Sequence, residues 1–224
     1  MHFEETPGRE PPVVLLHRGA GSTRVWDEWV PGIGGGRRVI AYDRRGFGAS
    51  PRDALFDQRL FHRDADDLAA LLRELDAAPA HLVGHSDGAT VALVTAALHP
   101  ELVASATWIA GHTHLEEPLR RLLLRSPPAE DADQPTRDWY ELWTQTLVGW
   151  NIEDELRALT APTLVVHAAD DRLSPREYAE SVARAVPHAT VSWYETSSHS
   201  PHRAERVRFE RELEAHLRSA EAAS

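Results

Sequence analysis

Short apolar runs alternate along the chain with segments of helical character. The runs are typical of buried strands and occupy residues 13–17, 38–43, 81–85, 105–110, 163–167 and 190–195. The segments predicted to be helices are residues 60–77, 89–98, 175–185 and 201–218, and the last two each begin with a proline in the first turn. Strands alternating with helices predict an α/β fold with a mostly parallel sheet covered on both faces. Residues 3–5 would add a short antiparallel edge strand.

One long segment, residues 112–158, interrupts this alternation because no strand is predicted in it. It contains a leucine-rich stretch, then the polar, proline-bearing residues 126–136, then a tryptophan-rich stretch, which together predict two or three short helices. An excursion of this length in a compact domain is more often functional than a simple elaboration of the core. We therefore expect a core domain of residues 1–111 and 159–224, with residues 112–158 inserted as a helical lid.

The strongest chemical signal is the segment Gly84-His85-Ser86-Asp87-Gly88, which lies between a predicted strand and a predicted helix. A nucleophile on such a sharp turn needs small residues two positions away on each side, and Gly84 and Gly88 supply them. The N-terminus of the following helix would add partial positive charge. We predict that Ser86 is a catalytic nucleophile.

A serine hydroxyl needs a base, and the base needs an acid that orients it. His199 lies in the loop between the last predicted strand and the last predicted helix and is the predicted base. Its nearest rival, His202, falls inside the start of that helix. Asp171, just past the strand at residues 163–167, is the predicted acid, and the neighbouring Asp170 is a competitor.

An oxyanion needs two backbone donors. One is expected from the amide of Asp87, directly after the nucleophile, and the other from the turn at residues 17–20, with Gly19 favoured and Arg18 as the alternative. The substrate pocket should lie between the carboxyl edge of the sheet and the lid. Its predicted walls are Trp26, His85, His112, Leu119, Trp139, Trp143 and Trp150.

The bulk properties narrow the class of protein. The 224 residues suit one domain with a small lid, and 42% hydrophobic with 26% charged residues is typical of a soluble globular protein. No apolar stretch reaches the roughly 18 residues needed to span a bilayer. The acidic start, residues 1–5, lacks the features of a signal peptide, so we expect a cytoplasmic protein with no membrane partner.

Charge and metal-ligand spacing exclude two further classes. The net charge is −11 and the arginines are scattered, which argues against nucleic-acid binding. Cysteine is absent, so there are no disulfides or thiolate metal sites. The pairs His112-x-His114 and His199-x-x-His202 lack a defined third ligand, so neither a metal nor another cofactor is predicted. The expected partner is a small-molecule substrate, bound by a monomer or homodimer.

Taken together, these residues resemble the α/β-hydrolase superfamily, in its small lid-bearing branch of esterases and lactonases. The resemblance covers nearly the whole chain: residues 12–22 resemble the oxyanion loop, 42–50 the Asp-x-Arg-Gly-x-Gly-x-Ser segment, 83–88 the nucleophile elbow, 162–175 the acid segment and 199–201 the histidine loop. The resemblance implies the chain order serine, aspartate, histidine, and the family's usual spacing selects Asp171 over Asp170.

The chain also departs from the family pattern. Arg18, Ala89, Ala168 and Ser198 stand at positions where the family commonly has glycine. Arg18 matters most, because an arginine would strain the oxyanion turn if that turn needs a positive φ. Its charge could instead help to bind a carboxylate-bearing substrate.

The residues and the resemblance predict a serine hydrolase that cleaves a carboxylic ester or lactone, apolar or aromatic, through an acyl-enzyme. One rival is a carbon–carbon bond hydrolase or acyltransferase with the same triad, because a fold does not fix a substrate. Another is a receptor-like ligand-binding protein with a weakly active triad, which Arg18 favours. A dehalogenase or epoxide hydrolase is disfavoured, since it would need an aspartate in place of Ser86.

Overall fold

A seven-stranded sheet forms the centre of the molecule. The computed structural model describes residues 1–223, and its strands are β1 (Phe3–Thr6), β2 (Arg9–Leu16), β3 (Arg37–Tyr42), β4 (Ala80–His85), β5 (Val103–Ile109), β6 (Thr163–Ala168) and β7 (Ala189–Tyr194). They are ordered β1-β3-β2-β4-β5-β6-β7. Strand β1 pairs antiparallel with β3, and all other pairs are parallel. The predicted α/β fold with a mostly parallel sheet and an antiparallel edge strand is confirmed.

Helices cover both faces of this sheet. Their bounds are α1 (Val30–Ile33), α2 (Leu60–Glu74), α3 (Asp87–Leu98), α4 (Glu117–Leu124), α5 (Gln134–Glu141), α6 (Glu153–Ala158), α7 (Arg176–Ala185), α8 (Pro201–Ala204) and α9 (Arg206–Ala223). Successive side chains of a strand point to opposite faces. In β2, Val14 and Leu16 accordingly join the core cluster that contains α2 and α3, while Val13 and Leu15 join the cluster that contains α9.

The last predicted helix, residues 201–218, is wrong as a single element. The structure breaks it at Glu205, which has φ −120° and ψ 51°, into the short α8 and the longer α9. The break lets α8 follow directly on the loop that carries His199, while α9 packs Phe209, Leu213 and Leu217 against the sheet.

Residues 112–158 contain α4, α5, a π-helical turn at Leu142–Thr146, and α6. The first and last parts of this insert meet where the Ile152 amide donates to the Thr113 carbonyl at 2.9 Å, and the hydroxyl of Thr90 in α3 donates to the His112 carbonyl at 2.8 Å. Its division from the core as a separate lid stays a prediction. Within residues 1–223, the structure contains no helix with both the length and the apolar character needed to cross a membrane.

Candidate active site

Ser86 occupies a strained turn between β4 and α3. Its backbone has φ 56° and ψ −123°, and its amide donates to the Ile109 carbonyl at 2.8 Å. A Cβ atom on Gly84 would lie 2.2 Å from the Gly88 carbonyl oxygen, and one on Gly88 would lie 2.3 Å from the Leu16 carbonyl oxygen. Both glycines are therefore required by close backbone approach, which is the steric reason for the Gly-x-Ser-x-Gly spacing.

The three residues predicted to form a triad lie within hydrogen-bond distance of one another. The hydroxyl of Ser86 donates to Nε2 of His199 across 3.1 Å, and Nδ1–H of His199 donates to Oδ2 of Asp171 across 2.9 Å. They come from three loops at the carboxyl edge of the sheet, after β4, β6 and β7, where parallel α/β sheets place their sites.

The carboxylate of Asp171 is fixed from both sides. Burial alone would raise its pKa, but hydrogen bonds from His199 and from the amides of Ser174 and Leu173 outweigh it, so the pKa lies below its ordinary value of 3.8. Oδ1 accepts both amides, at 2.9 Å from Leu173 and 3.0 Å from Ser174, which leaves Oδ2 for His199. A carboxylate held in this way is ionised at neutral pH and defines which imidazole nitrogen carries the proton.

The two competitors lie elsewhere. The side chain of Asp170 is exposed. His202 is buried, with its ring centroid 5.7 Å from that of Trp26 and 5.4 Å from that of Trp29. The structure thus brings together Ser86, His199 and Asp171, and their catalytic roles stay predictions.

The turn after β2 is held by a buried histidine whose tautomer is defined by its partners. Nδ1–H of His17 donates to the Arg18 carbonyl at 2.7 Å, and Nε2 accepts from the Arg44 amide at 3.0 Å. Burial, with the nearby Arg44 charge, holds the pKa of His17 well below 6.5, so the ring is neutral. The left-handed position of this turn is Ala20, with φ 49°. Arg18 is outside the residues with positive φ in the described chain, so the strain expected for it is absent.

The predicted oxyanion residues Gly19 and Asp87 are adjacent. A Cβ atom on Gly19 would lie 2.6 Å from Oδ2 of Asp87 and 2.0 Å from Nε1 of Trp139, so only glycine fits there. Arg18 turns its guanidinium to the Gly19 carbonyl at 3.2 Å and lines cavities outside the one that contains Ser86. The assignment of the oxyanion amides stays a prediction.

The carboxylate of Asp87 is fully buried beside this turn, and from the sequence it was expected only to favour the dipole of α3. Its Oδ2 accepts the indole N–H of Trp139 at 2.8 Å and lies 3.9 Å from the guanidinium of Arg44. Its Oδ1 has no hydrogen-bond partner and is 3.8 Å from the equally unpartnered Nδ1 of His112. Asp87 therefore joins α5 of the insert to the nucleophile turn.

The segment at residues 42–50 packs beside the oxyanion turn and supports it. Asp43 accepts the Thr23 amide at 2.6 Å and the Ala49 amide at 2.7 Å. Arg44 forms a buried ion pair with Asp64 at 2.7 Å, and burial raises the pKa of Asp64 to about 6. The similarity of this segment to a family motif was the signal for its importance, although its contacts could not be read from the sequence.

The cavity at Ser86 is small, with a volume of about 30 Å³. It is lined by Ser86, His112, Leu119, Leu123, Trp139, Trp143, Leu173 and His199. That volume holds water but no organic substrate. The insert therefore closes over the nucleophile in this structure.

Four of the seven predicted pocket residues line this cavity, namely His112, Leu119, Trp139 and Trp143. The prediction is wrong for the other three. Trp26 packs on Trp29 and lines a separate cavity, whereas Trp150 packs on Phe61 with 4.9 Å between ring centroids and belongs to the core. His85 lines the same separate cavity as Trp26 and donates Nε2–H to the His199 carbonyl at 2.7 Å.

The histidine pairs considered as metal ligands have other partners. Nε2 of His112 donates to the Leu173 carbonyl at 3.0 Å, and Nε2 of His114 lies 3.0 Å from the Glu116 carboxylate. Across residues 1–223, no three histidine, aspartate or glutamate side chains converge as a metal site would require.

A mostly parallel sheet with a serine on a sharp turn between its central strand and a helix defines the class of α/β hydrolases. Comparison with known families agrees: the chain belongs to the alpha/beta hydrolase fold family, whose model matches residues 11–161. A protein of Pseudomonas syringae pv. syringae (strain B728a) that carries the name carbamate hydrolase RutD is 28% identical, with 96% of this chain and 97% of that protein covered.

Solved structures are similar over almost the whole length. The structure named for the non-heme bromoperoxidase BpoC from Mycobacterium tuberculosis H37Rv has a TM-score of 0.84 at 23% identity, covering 98% of this chain and 96% of that one. The enol-lactonase from Burkholderia xenovorans LB400 has a TM-score of 0.80 at 18% identity, covering 96% and 95%. At these identities the likeness shows the fold alone.

Proposed function

We propose that the protein is a serine hydrolase that cleaves a carboxylic ester or lactone through an acyl-enzyme. The observation that carries this proposal is the hydrogen-bonded series from Ser86 through His199 to Asp171, with distances of 3.1 and 2.9 Å. A serine hydroxyl in contact with a base, whose far nitrogen is in contact with a buried carboxylate, is the arrangement that nucleophilic acyl transfer needs.

In the proposed reaction, His199 takes the proton of Ser86 as the hydroxyl attacks the substrate carbonyl. The amides of Asp87 and Gly19 donate to the resulting oxyanion. The imidazolium, stabilised by Asp171, then protonates the leaving alcohol, and the acyl-enzyme forms. A water molecule deprotonated by His199 releases the acid and restores Ser86. For a lactone, the alcohol and acid remain one molecule.

Residues 112–158 act in this proposal as a lid that must open. The 30 Å³ cavity cannot admit an ester, and Trp139 covers the oxyanion turn. The cavity wall consists mainly of leucine and tryptophan, which favours an apolar or aromatic acyl or alcohol group. We also propose a cytoplasmic location and a monomeric or homodimeric state.

Two of the three relatives' names, carbamate hydrolase and enol-lactonase, agree with acyl chemistry without selecting a substrate, and the name bromoperoxidase does not bear on it. A carbamate and an enol lactone both present a carbonyl carbon with an oxygen leaving group. A panel of p-nitrophenyl esters, lactones, thioesters and carbamates would rank these substrate classes by kcat/KM. A carbon–carbon bond substrate in the same panel would test the rival reaction on this triad.

The nucleophile is tested by measuring hydrolysis of short p-nitrophenyl esters by wild type and Ser86→Ala. We expect kcat to fall by a factor on the order of 10⁴ to 10⁶, because the triad acts as a unit. The matched control is Ser126→Ala, which alters an exposed serine of the insert and should leave kcat unchanged.

Labelling with a fluorophosphonate separates an enzyme from a receptor-like protein. A live nucleophile labels at Ser86, and mass spectrometry locates the adduct. Undiminished ester hydrolysis by Ser86→Ala, or a label on another residue, would overturn the assignment.

A further inference from the structure

A second cavity lies near His199, with His85 and the neighbouring Ser200 in its wall. Its volume is about 250 Å³. It is lined by Arg18, Val25, Trp26, His85, Ser200, His202 and Arg203, and we call it the arginine cavity. It shares no lining residue with the cavity at Ser86.

The charge of the arginine cavity is opposite to that of the whole protein. The chain carries a net charge of −11, yet two guanidinium groups, those of Arg18 and Arg203, line this one space. Within residues 1–223, no carboxylate lies within 4 Å of the Arg18 guanidinium. Arg203 has only the distant Glu28, at 3.9 Å, and that carboxylate is 74% exposed and screened by solvent.

Both guanidinium groups are held in place by neutral partners. Arg18 donates to the Gly19 carbonyl at 3.2 Å, and Arg203 donates to the Val25 carbonyl at 2.6 Å. Each contact orients a planar group without neutralising it. The remaining N–H groups form the fork that matches a carboxylate.

Two buried polar atoms of the wall have no partner. These are Nε1 of Trp26 and Nδ1 of His202, on side chains that are 1% and 2% exposed. An indole N–H can only donate, so it is satisfied only by an acceptor atom.

We propose that the arginine cavity binds a small organic carboxylate, with its oxygens between Arg18 and Arg203 and its apolar stem against Val25 and Trp26. The volume is below the 300 Å³ or so at which drug-sized ligand pockets begin, so the acid should have only a few carbons. Val25 and Trp26 are the apolar residues of an otherwise polar wall, and an organic acid has a stem that can contact them, whereas inorganic phosphate has none.

The position of the cavity connects it to the base. The ring of His85 lies 4.6 Å from that of His202 and 5.1 Å from that of His199, and His85 donates to the His199 carbonyl. A bound carboxylate would therefore be separated from His199 by the ring of His85. The site would exist whether or not Ser86 turns over an ester.

The test is isothermal titration of the full chain with sodium butyrate at pH 7 and constant ionic strength. We expect saturable one-to-one binding. Arg18→Gln and Arg203→Gln should each weaken it about tenfold, because each removes charge-assisted hydrogen bonds. The matched control, Arg24→Gln, removes an exposed arginine outside the cavity wall and should leave the Kd unchanged.

Trp26→Phe provides a variant that keeps the ring packing and removes only the N–H donor. It should also weaken butyrate binding, by a smaller factor than either arginine variant. Thermal melting without butyrate checks that each variant is folded. Unchanged affinity in folded Arg18→Gln and Arg203→Gln would overturn the proposal, as would absence of saturable binding to wild type.

The same titration on Ser86→Ala separates this site from the active site. Retained butyrate binding supports the arginine cavity, whereas loss would place the acid at Ser86 and overturn the proposal. Binding of phosphate in preference to butyrate would also overturn it. Because this arm needs no turnover, failure of the proposed esterase activity would leave the result interpretable.

Discussion

Two regions meet over Ser86, and they are built in different ways. The triad lies on loops that leave the carboxyl ends of buried parallel strands, and backbone sterics at Gly84 and Gly88 define its nucleophile turn. The insert of residues 112–158 reaches the same cavity through side chains, above all the single hydrogen bond from Trp139 to Asp87 at 2.8 Å. The first region is fixed by the sheet, while the cover over Ser86 is formed by side chains of the insert, among them Leu119, Trp139 and Trp143.

This difference shows that the triad needs a rigid support and that the insert needs to move. Hydrogen-bond distances of 2.9 and 3.1 Å in the triad require elements that do not shift. A cavity of 30 Å³ admits no organic substrate, so the insert that covers it must move. The following predictions test each side of that contrast, starting with the largest effect.

Asp171→Asn should cause the largest loss of activity, by disrupting the triad without unfolding the protein. An amide keeps the shape of the carboxyl group but stabilises the wrong tautomer of His199 and not the imidazolium, so kcat should fall about 10⁴-fold. The measurement is kcat for a p-nitrophenyl ester at pH 7. Asp170→Asn is the control, because its side chain is exposed and should leave kcat within a small factor of wild type. Equal losses in the two variants would contradict the assignment of Asp171.

Acid should lower the stability of the folded protein, mainly through buried histidines outside the insert. Burial lowers the pKa of seven histidines, namely His17, His81, His85, His112, His167, His202 and His216. Of these, only His112 lies in the insert. For His167 and His216 the pKa falls from 6.5 to about 4. Below pH 6.5 the unfolded chain takes up protons that the folded protein does not, so stability falls from there towards pH 4.

Urea unfolding at pH 7, 6 and 5 measures this loss. A histidine that stays neutral in the folded protein while the unfolded chain is protonated contributes slightly over about 1 kcal/mol per pH unit, so the total loss should reach several kcal/mol by pH 5. His167→Phe, which keeps a ring between Trp108 and Trp193, should reduce the slope by about 1 kcal/mol per pH unit. Replacing the exposed His188 with Gln should leave the slope unchanged. A pH-independent free energy of unfolding would refute the explanation.

The same contrast explains what could be predicted from the sequence. The alternation of apolar runs with helical segments and the glycine spacing around Ser86 are local consequences of backbone geometry. The sheet and the position of the serine turn could therefore be predicted from the sequence. The φ of Ala20 and the break at Glu205 depend on how the chain packs, and the pattern predicted neither.

Side-chain partners across the molecule were harder to predict. The seven tryptophans could be assigned to core or cavity only from their contacts: Trp139 covers Ser86, Trp26 lines the arginine cavity and Trp150 packs in the core. The role of Asp87 was missed because its partner, Trp139, is 52 residues away. No periodicity along the chain encodes such a pair.

Trp139→Phe tests the insert with the smallest expected effect. It keeps an aromatic ring over Gly19 but removes the only indole N–H donated to Asp87, which favours the open insert over the closed one. Loss of one hydrogen bond to a carboxylate changes an equilibrium by about tenfold or somewhat more, so kcat/KM for a bulky ester should rise by up to about tenfold. Trp150→Phe is the control, because its Nε1 has no partner to lose. Hydrogen exchange in α5 should quicken in the first variant alone, and a fall in kcat/KM without faster exchange would mean that Trp139 positions substrate and does not restrain the insert.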